Sequence, residues 1–258
     1  MALYGILGDI HGNQEALDAV LAYFDRRNIN KILCVGDIVG YNADSDGCAM
    51  QLRTRSALAI AGNHDLIAID RLGFNFCSNA VIHSLKRTRK EITPETARYL
   101  ASLPEHLLAE NSLLLVHGGV RDVQQYMNAP SQIRQNNAYL QADFPAVRIC
   151  MYGHAHEQKI FEIDGEEVRQ LSHAEQMSLR KDRVYFINPG SVDAARKRGY
   201  KLAECALFDS DSASIEFHRL RYLDELSEMK AKAGGYRIGP WTNRYYSLRR
   251  KISRLTGP

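Results

Sequence analysis

The sequence predicts an α/β protein built on two β-sheets packed face to face, with helices outside. Three observations predict it. Apolar strand-like runs alternate with helical periodicity as far as Ala61, which asks for parallel pairing. From Lys159 onward the strand-like runs follow one another closely, with antiparallel character. Five apolar runs end in short polar clusters rich in Asp and His, where open α/β sheets carry their ligand crevice.

Leu3 to Leu7 reads as a buried strand, followed by a helix from about Gln14 to Arg27 with Ala16, Leu17, Val20, Leu21 and Phe24 at helical spacing. Lys31 to Val35 is the second strand, Asp46 to Arg53 a short helix, and Ala57 to Ala61 the third strand. Residues 66–106 interrupt this rhythm. Ser78 to Arg89 and Pro94 to Leu103 both read as helices, with Thr93-Pro94 as a start signal and Pro104 past the end. A helical insertion over or beside the strand ends is expected there. Leu113 to Val116 and Arg148 to Tyr152 resume the sheet. Lys159 to Ile163 and Glu166 to Arg169 form a hairpin around Asp164-Gly165, a pair suited to a type I′ turn. Val184 to Ile187, Leu202 to Phe208 and Ser214 to Leu220 supply further strands. Residues 1–220 are expected to form one domain, with residues 221–258 as a basic extension packed on it.

With 258 residues, 45% hydrophobic and 24% charged, the chain has ordinary globular composition. A net charge of +3 implies no nucleic-acid partner unless it is locally concentrated. The N-terminus has no basic region ahead of an apolar core, and no uncharged apolar run approaches the roughly 20 residues of a bilayer span. A cytoplasmic protein with no membrane partner is expected. Its five cysteines form no CxxC pair and are odd in number, so they read as reduced thiols.

The polar clusters are GDIHGN from Gly8, GDIVG from Gly36, GNHD from Gly62, HGG from His117 and GHAH from Gly153. They offer Asp9, His11, Asp37, Asn63, His64, His117, His154 and His156. Asp9 and His11 taken alone are better read as an exposed turn, although on extended backbone both would reach one ion. Asp37 stands after the second strand as Asp9 stands after the first, and two neighbouring carboxylates ask for a cation between them. Asn63 can serve as a hard ligand or as a helix cap. His64 can donate a proton to a substrate oxygen, with Asp65 orienting its ring. His117 and the His154-x-His156 pair add three imidazoles. Ordinary buried histidines would explain any one cluster; explaining all five that way requires the coincidence to recur each time. His83, His106, His173 and His218 lack such contexts, and His83 is expected to line the insertion. Asn188-Pro189-Gly190-Ser191-Val192 reads as a supporting turn near the site.

The ordered set Asp9-x-His11, Gly36-Asp37, Gly62-Asn63-His64-Asp65, His117 and Gly153-His154-x-His156 resembles the calcineurin-like metallophosphoesterase superfamily over about residues 3–210, and within it the small bacterial phosphoesterase branch. The resemblance implies a four-layer αββα sandwich of two mixed sheets flanked by helices, and a dinuclear centre that hydrolyses phosphate esters with a metal-activated hydroxide. It implies that Asp9, His11, Asp37 and His156 hold one ion, and Asp37, Asn63, His117 and His154 the other, with His64 as the donor to the transition state. The donors themselves suit manganese, iron, zinc, cobalt or nickel; two divalent ions, manganese foremost, are expected with the resemblance. Gly40-Tyr41-Asn42-Ala43 departs from the Gly-Tyr-Gly-Pro common in that branch.

From Arg219 the balance turns basic, with Trp241, Tyr245 and Tyr246 among the arginines. Such a segment either stacks on nucleic-acid bases or packs as a terminal helix with a solvated basic face, and the second is the favoured reading. The expected substrate is therefore a phosphorylated small molecule or peptide, for a phosphatase or phosphodiesterase. A nuclease or nucleotide-processing phosphodiesterase that uses the basic segment is the alternative, and a non-catalytic scaffold is disfavoured because no ligand position is missing.

Overall fold

Backbone hydrogen bonds divide the strands into two mixed six-stranded sheets in this computed structural model, which describes residues 3–110, 112–172, 176–193 and 201–256, with side chains as far as residue 249. In chain order the elements begin β1 (Leu3–Leu7), α1 (Gln14–Arg26), β2 (Lys31–Cys34), α2 (Ser45–Thr54), β3 (Leu58–Ala59), α3 (Asn63–Ala68), α4 (Asn79–Glu91) and α5 (Pro94–Ser102). They continue with β4 (His106–Ala109), β5 (Leu113–Val116), α6 (Pro130–Asp143), β6 (Ile149–Tyr152), β7 (Gln158–Asp164) and β8 (Glu167–Leu171). The last are β9 (Gln176–Ser178), β10 (Val184–Pro189), β11 (Ala203–Asp209), β12 (Ser214–Leu220), α7 (Asp224–Ala233) and α8 (Pro240–Thr256).

One sheet has the order β3-β2-β1-β11-β12-β9 and the other β4-β5-β6-β10-β7-β8. Strands β1, β2 and β3 run parallel, as do β5, β6 and β10, while the remaining pairings are antiparallel. Side-chain alternation then builds the layers. Ile6 and Leu33 face Leu113, Leu115, Met151 and Ile187 in a core between the sheets. Their neighbours Leu7 and Cys34 turn outward to join Leu17, Val20 and Phe24 of α1. On the far side Leu114, Val116 and Tyr152 pack against Ile133 and Leu140 of α6. Helix, sheet, sheet, helix is the expected sandwich.

The local reasons are visible at the helix starts. Asn13 caps α1 by accepting the amide of Ala16 at 3.1 Å, Ser78 caps α4, and Thr93 caps α5 ahead of Pro94. Several elements differ from their sequence-based limits. β3 is only two residues long, and α3 begins at Asn63 inside the GNHD cluster. The edge strand β4, the short β9 and helix α6 carry no sequence expectation. Helix α6 buries only Ile133, Asn136 and Leu140, a stripe too thin to stand out among polar neighbours. The β7–β8 turn uses Gly165-Glu166, with Asp164 still paired to Glu167 and positive φ at Gly165, so it is not the type I′ turn expected on Asp164-Gly165.

Helix α7 packs on α1, and α8 packs on α4. The α8 contact runs through Asn79, which bonds Asn243 and Ser247, and leaves Trp241 83% exposed. All five cysteines are buried and free of disulfides. No described helix is long and apolar enough to cross a membrane.

Candidate metal centre

The C-terminal ends of β1, β2, β5 and β6 deliver their polar clusters to one buried point. Asp9, His11, Asp37 and His156 place one ligand atom each within 4.8 Å of one another, and so do Asp37, His117 and His154. Asp37 belongs to both groups. All of these residues are buried.

The backbone conformation that achieves this differs from the extended backbone expected at Asp9-x-His11 and His154-x-His156. Asp9, His11, Asp37, His154 and His156 all have φ between 51° and 64°, in the left-handed region. That region costs a residue with a Cβ roughly 1–2 kcal/mol. A ladder of backbone bonds holds the first three there. The amides of Asp9, His11 and Gly12 donate to the carbonyls of Gly36, Asp37 and Ile38, each at 2.9 Å, which zips two motif loops together. The turn after β10 braces the same point, as the sequence suggests. Ser191 Oγ donates to the Asp9 carbonyl at 3.0 Å, and Asn188 Nδ2 to that of Gly153 at 2.9 Å.

The imidazoles are aimed inward. His117 Nδ1 donates to the Val35 carbonyl at 2.7 Å, which turns Nε2 toward Asn63 Oδ1 at 3.0 Å and Asp37 Oδ2 at 3.3 Å. His156 Nε2 lies 3.3 Å from Asp9 Oδ1 and 3.0 Å from His11 Nε2. Donors about 2.0–2.2 Å from a shared divalent ion stand roughly 3 Å apart, so these spacings fit a common cation. The chemistry of the donor set, with carboxylate and amide oxygens beside imidazole nitrogens, fits as well.

Electrostatics point the same way. Burial would raise the Asp37 carboxyl, but the imidazoles of His117, His64 and His11 hold it well below the usual carboxylate range. Burial would lower His117, but Asp37 carries it up to about 9. Burial and the neighbouring Asp37 charge push the Asp65 carboxyl up to about 7, against the amides that bond it. The centre favours positive charge and resists a further anion.

His64 sits at the edge of this cluster, its ring 4.5 Å from that of His11 and 4.8 Å from that of Tyr41. Its amide donates to Asp37 Oδ1 at 2.8 Å. Asp65 does not orient the His64 ring as expected. Its carboxylate accepts the amides of Ile38, Val39 and Gly62 at 2.9, 3.1 and 2.9 Å, so it fixes the loop that carries His64. Gly62 is required where it stands, because a Cβ there would lie 2.2 Å from Asp37 Oδ1.

A cleft of about 170 Å³ opens onto Asn63, His64 and His154, walled by Tyr41, Tyr126 and the 96% exposed Phe76. The loop that carries Gln124 and Tyr126 has no pattern from which sequence reasoning could find it. Asn13, Asn42 and Asp193 were also missed. Both amides donate to Asp193 Oδ1, at 2.7 and 2.8 Å, and tie the loops around His11 together. Asn13 leaves a sequence signal as the end of the GDIHGN cluster and Asn42 as part of the Gly40-Tyr41-Asn42-Ala43 departure, whereas Asp193 leaves none. Of the histidines outside the motifs, His83 lies on α4 and bonds the Gly235 carbonyl at 3.0 Å, His106 packs on Phe144, and His218 bonds Tyr23. His173 lies outside the described residues.

Over residues 2–213 the chain matches the calcineurin-like phosphoesterase superfamily domain. An uncharacterized protein of Methanocaldococcus jannaschii is 30% identical over 226 residues, which span 86% of this chain and 88% of the relative. A metallophosphoesterase structure from Sphaerobacter thermophilus is similar with a TM-score of 0.76 at 26% identity, covering 93% of this chain and 97% of that one. A hypothetical protein of Pyrococcus horikoshii shares the fold with a TM-score of 0.70 at 18% identity, over 95% and 97% of the two chains. Sheet order, converging donors and these likenesses agree: the chain belongs to the calcineurin-like phosphoesterase superfamily, and it is a metal-dependent hydrolase of phosphoric esters.

Proposed function

We propose that the centre is dinuclear. Asp9, His11, Asp37 and His156 hold one divalent ion, Asp37, Asn63, His117 and His154 hold a second, and the enzyme cleaves phosphate esters of small molecules or peptides. The observation that carries this reading is the membership of Asp37 in both donor groups, since one carboxylate shared by two cation sites is what a bridging ligand requires. Ions held by these residues would supply Lewis acidity and would activate water near neutral pH.

The chain's own residues do the rest. Asn63 presents its amide beside His117 and at the floor of the cleft, where a phosphoryl oxygen would lie. His64, on the same floor, donates a proton or hydrogen bond to the ester oxygen as it leaves. Asp65 and Gly62 keep that imidazole in place through the loop. The mixed oxygen and nitrogen set is compatible with manganese, iron, zinc, cobalt and nickel, and manganese is the ion we propose first.

One observation favours a second reading, a nuclease or nucleotide-processing phosphodiesterase. Trp241 and Tyr245 of α8 are 83% and 54% exposed among arginines, as a base-stacking platform would be. Binding of a single-stranded oligonucleotide that weakens steeply with salt would support it.

The deciding experiment strips the protein of metal and adds manganese, iron, zinc, cobalt or nickel back. Hydrolysis of p-nitrophenyl phosphate and of bis(p-nitrophenyl) phosphate is followed. Turnover that rises until two ions are bound per chain is expected. Saturation at one ion would overturn the dinuclear assignment.

A further inference from the structure

We infer that Arg237 is a positioning residue of the active site. Through it, the helical segment after the last strand holds the loop whose Tyr41 walls the cleft. Arg237 lies outside residues 2–213, the stretch matched to the superfamily domain.

The guanidinium grips the loop after the second metal-binding motif at two points. Its Nη1 donates to the Tyr41 carbonyl at 2.8 Å and its Nη2 to Asn42 Oδ1 at 3.0 Å. Glu228 holds the guanidinium from the other side, accepting from Nε at 2.9 Å and from Nη2 at 2.6 Å. A planar fork with several donors suits this task, and a lysine would not reproduce it. Exposed ion pairs usually contribute little, but Arg237 also bonds a buried amide and a loop carbonyl.

Its origin is fixed as well. The chain leaves α7 through Gly235, at φ 71°, and the amide of Tyr236 returns to the Ala231 carbonyl at 2.9 Å. Tyr236 itself is buried. Lys230 on the same helix reaches Asp44 Oδ2 at 3.0 Å, a second clamp on the same loop.

What is gripped bears on the chemistry. The Asn42 amide group lies between a cation and an anion: Oδ1 accepts from Arg237, and Nδ2 donates to Asp193 at 2.8 Å and to the His11 carbonyl at 3.2 Å. The Asn42 backbone amide bonds the same carbonyl at 2.8 Å. Tyr41, one residue earlier, lays its ring 4.6 Å from His11 and 4.8 Å from His64, and forms a wall of the cleft. Holding the Tyr41 carbonyl and the Asn42 side chain therefore holds the ring that borders the donor His64. Arg237 touches neither the metal-ligating atoms nor the cleft, so it acts on substrate fit.

The kinetic part of the test rests on the phosphoesterase reading; the exchange part does not. R237A, R237K, Y41A, the R237A/Y41A pair and the control K232A, which breaks only an exposed pair with Glu228, are compared as metal-loaded full chains. In R237A, amide exchange at Asn42 and Asp44 should speed up about tenfold, the equivalent of one lost charge-assisted hydrogen bond. KM for bis(p-nitrophenyl) phosphate should rise by about the same factor. Bound metal should stay unchanged and kcat nearly so. R237K should fall between, K232A should match wild type, and R237A should add little to Y41A. Unchanged exchange at Asn42 in R237A overturns the proposal, as do R237A and Y41A effects that multiply independently. If R237A does not fold, R237K supplies both readouts. If the wild type turns over no ester with any metal, the phosphoesterase reading fails, and the exchange comparison still decides whether Arg237 holds the loop.

Discussion

His11 and His156, 145 residues apart in the chain, bring their Nε2 atoms to 3.0 Å inside a buried centre that also holds Asp9 and Asp37. Two ring nitrogens at that distance need a proton or a cation between them. With two carboxylates alongside, a cation satisfies all four donors. Divalent metal should therefore stabilise the fold. At a free concentration a hundred times its dissociation constant, a ligand adds about 2.7 kcal/mol. That corresponds to a rise in Tm of roughly 5–10 °C for a chain of this size. His156→Ala should lose most of the rise. Thermal unfolding in manganese and in chelator measures it, and equal Tm values in the two would remove the metal-site assignment.

His64 and Asp37 should separate chemistry from metal binding. His64 borders the donor cluster without belonging to either ligand group, whereas Asp37 belongs to both. His64→Ala should lower kcat by roughly a hundredfold or more, the usual contribution of a positioned proton donor, with bound metal nearly intact. Asp37→Asn should lose metal along with activity. Elemental analysis beside steady-state rates checks both, and full turnover in His64→Ala would sink the donor role.

Two glycines should reproduce these two phenotypes without any change to a functional side chain. A Cβ at Gly62 would meet Asp37 Oδ1 at 2.2 Å and the Asp37 amide at 2.4 Å, in a loop tied down by the bonds of Asp9, His11 and His64 to Asp37 and its neighbours. Gly62→Ala should therefore behave like Asp37→Asn and lose metal. At Gly40, φ is 141° and a Cβ would lie 2.4 Å from His64 Nδ1. Gly40→Ala should keep its metal and lose turnover. Metal titration of each variant decides the matter, and swapped phenotypes would contradict the geometry.

The five motif clusters were legible because each is a short word at the end of an apolar run, and parallel strands carry such words to a shared edge without further instruction. The sheets were legible for a similar reason: alternation in runs such as Ile6-Leu7 and Leu113-Leu114-Leu115 assigns one residue to each face. What the sequence concealed was nonlocal or conformational. Nothing local marks Asp9 or His11 as left-handed, since that state is imposed by the loop from Gly36 to Ile38 bonded across it. Asp65 was assigned to the neighbouring imidazole because sequence proximity is all a motif shows, whereas its amide partners at Ile38 and Val39 come from another strand end. The grip of Arg237 on Tyr41 spans 196 residues. Helix α6 failed to register because three buried positions in fourteen give almost no periodic contrast.

The seat of Phe24 against Gly5 should govern stability in a way that tests the packing of α1 on β1. Phe24 is fully buried, and a Cβ at Gly5 would lie 2.5 Å from its Cε2. Phe24→Ala empties that seat and should cost about 3–5 kcal/mol. Gly5→Ala overfills it and should cost about 1–3 kcal/mol. The two faults are opposite in sign of volume, so they should compensate when combined moderately. Gly5→Ala combined with Phe24→Leu should lose less than the sum of Gly5→Ala alone and Phe24→Leu alone, because the smaller side chain leaves room for the added methyl. Urea midpoints for the two singles and the double provide the measurement. Strict additivity would mean that the strand glycine and the helix phenylalanine do not share the space the structure gives them.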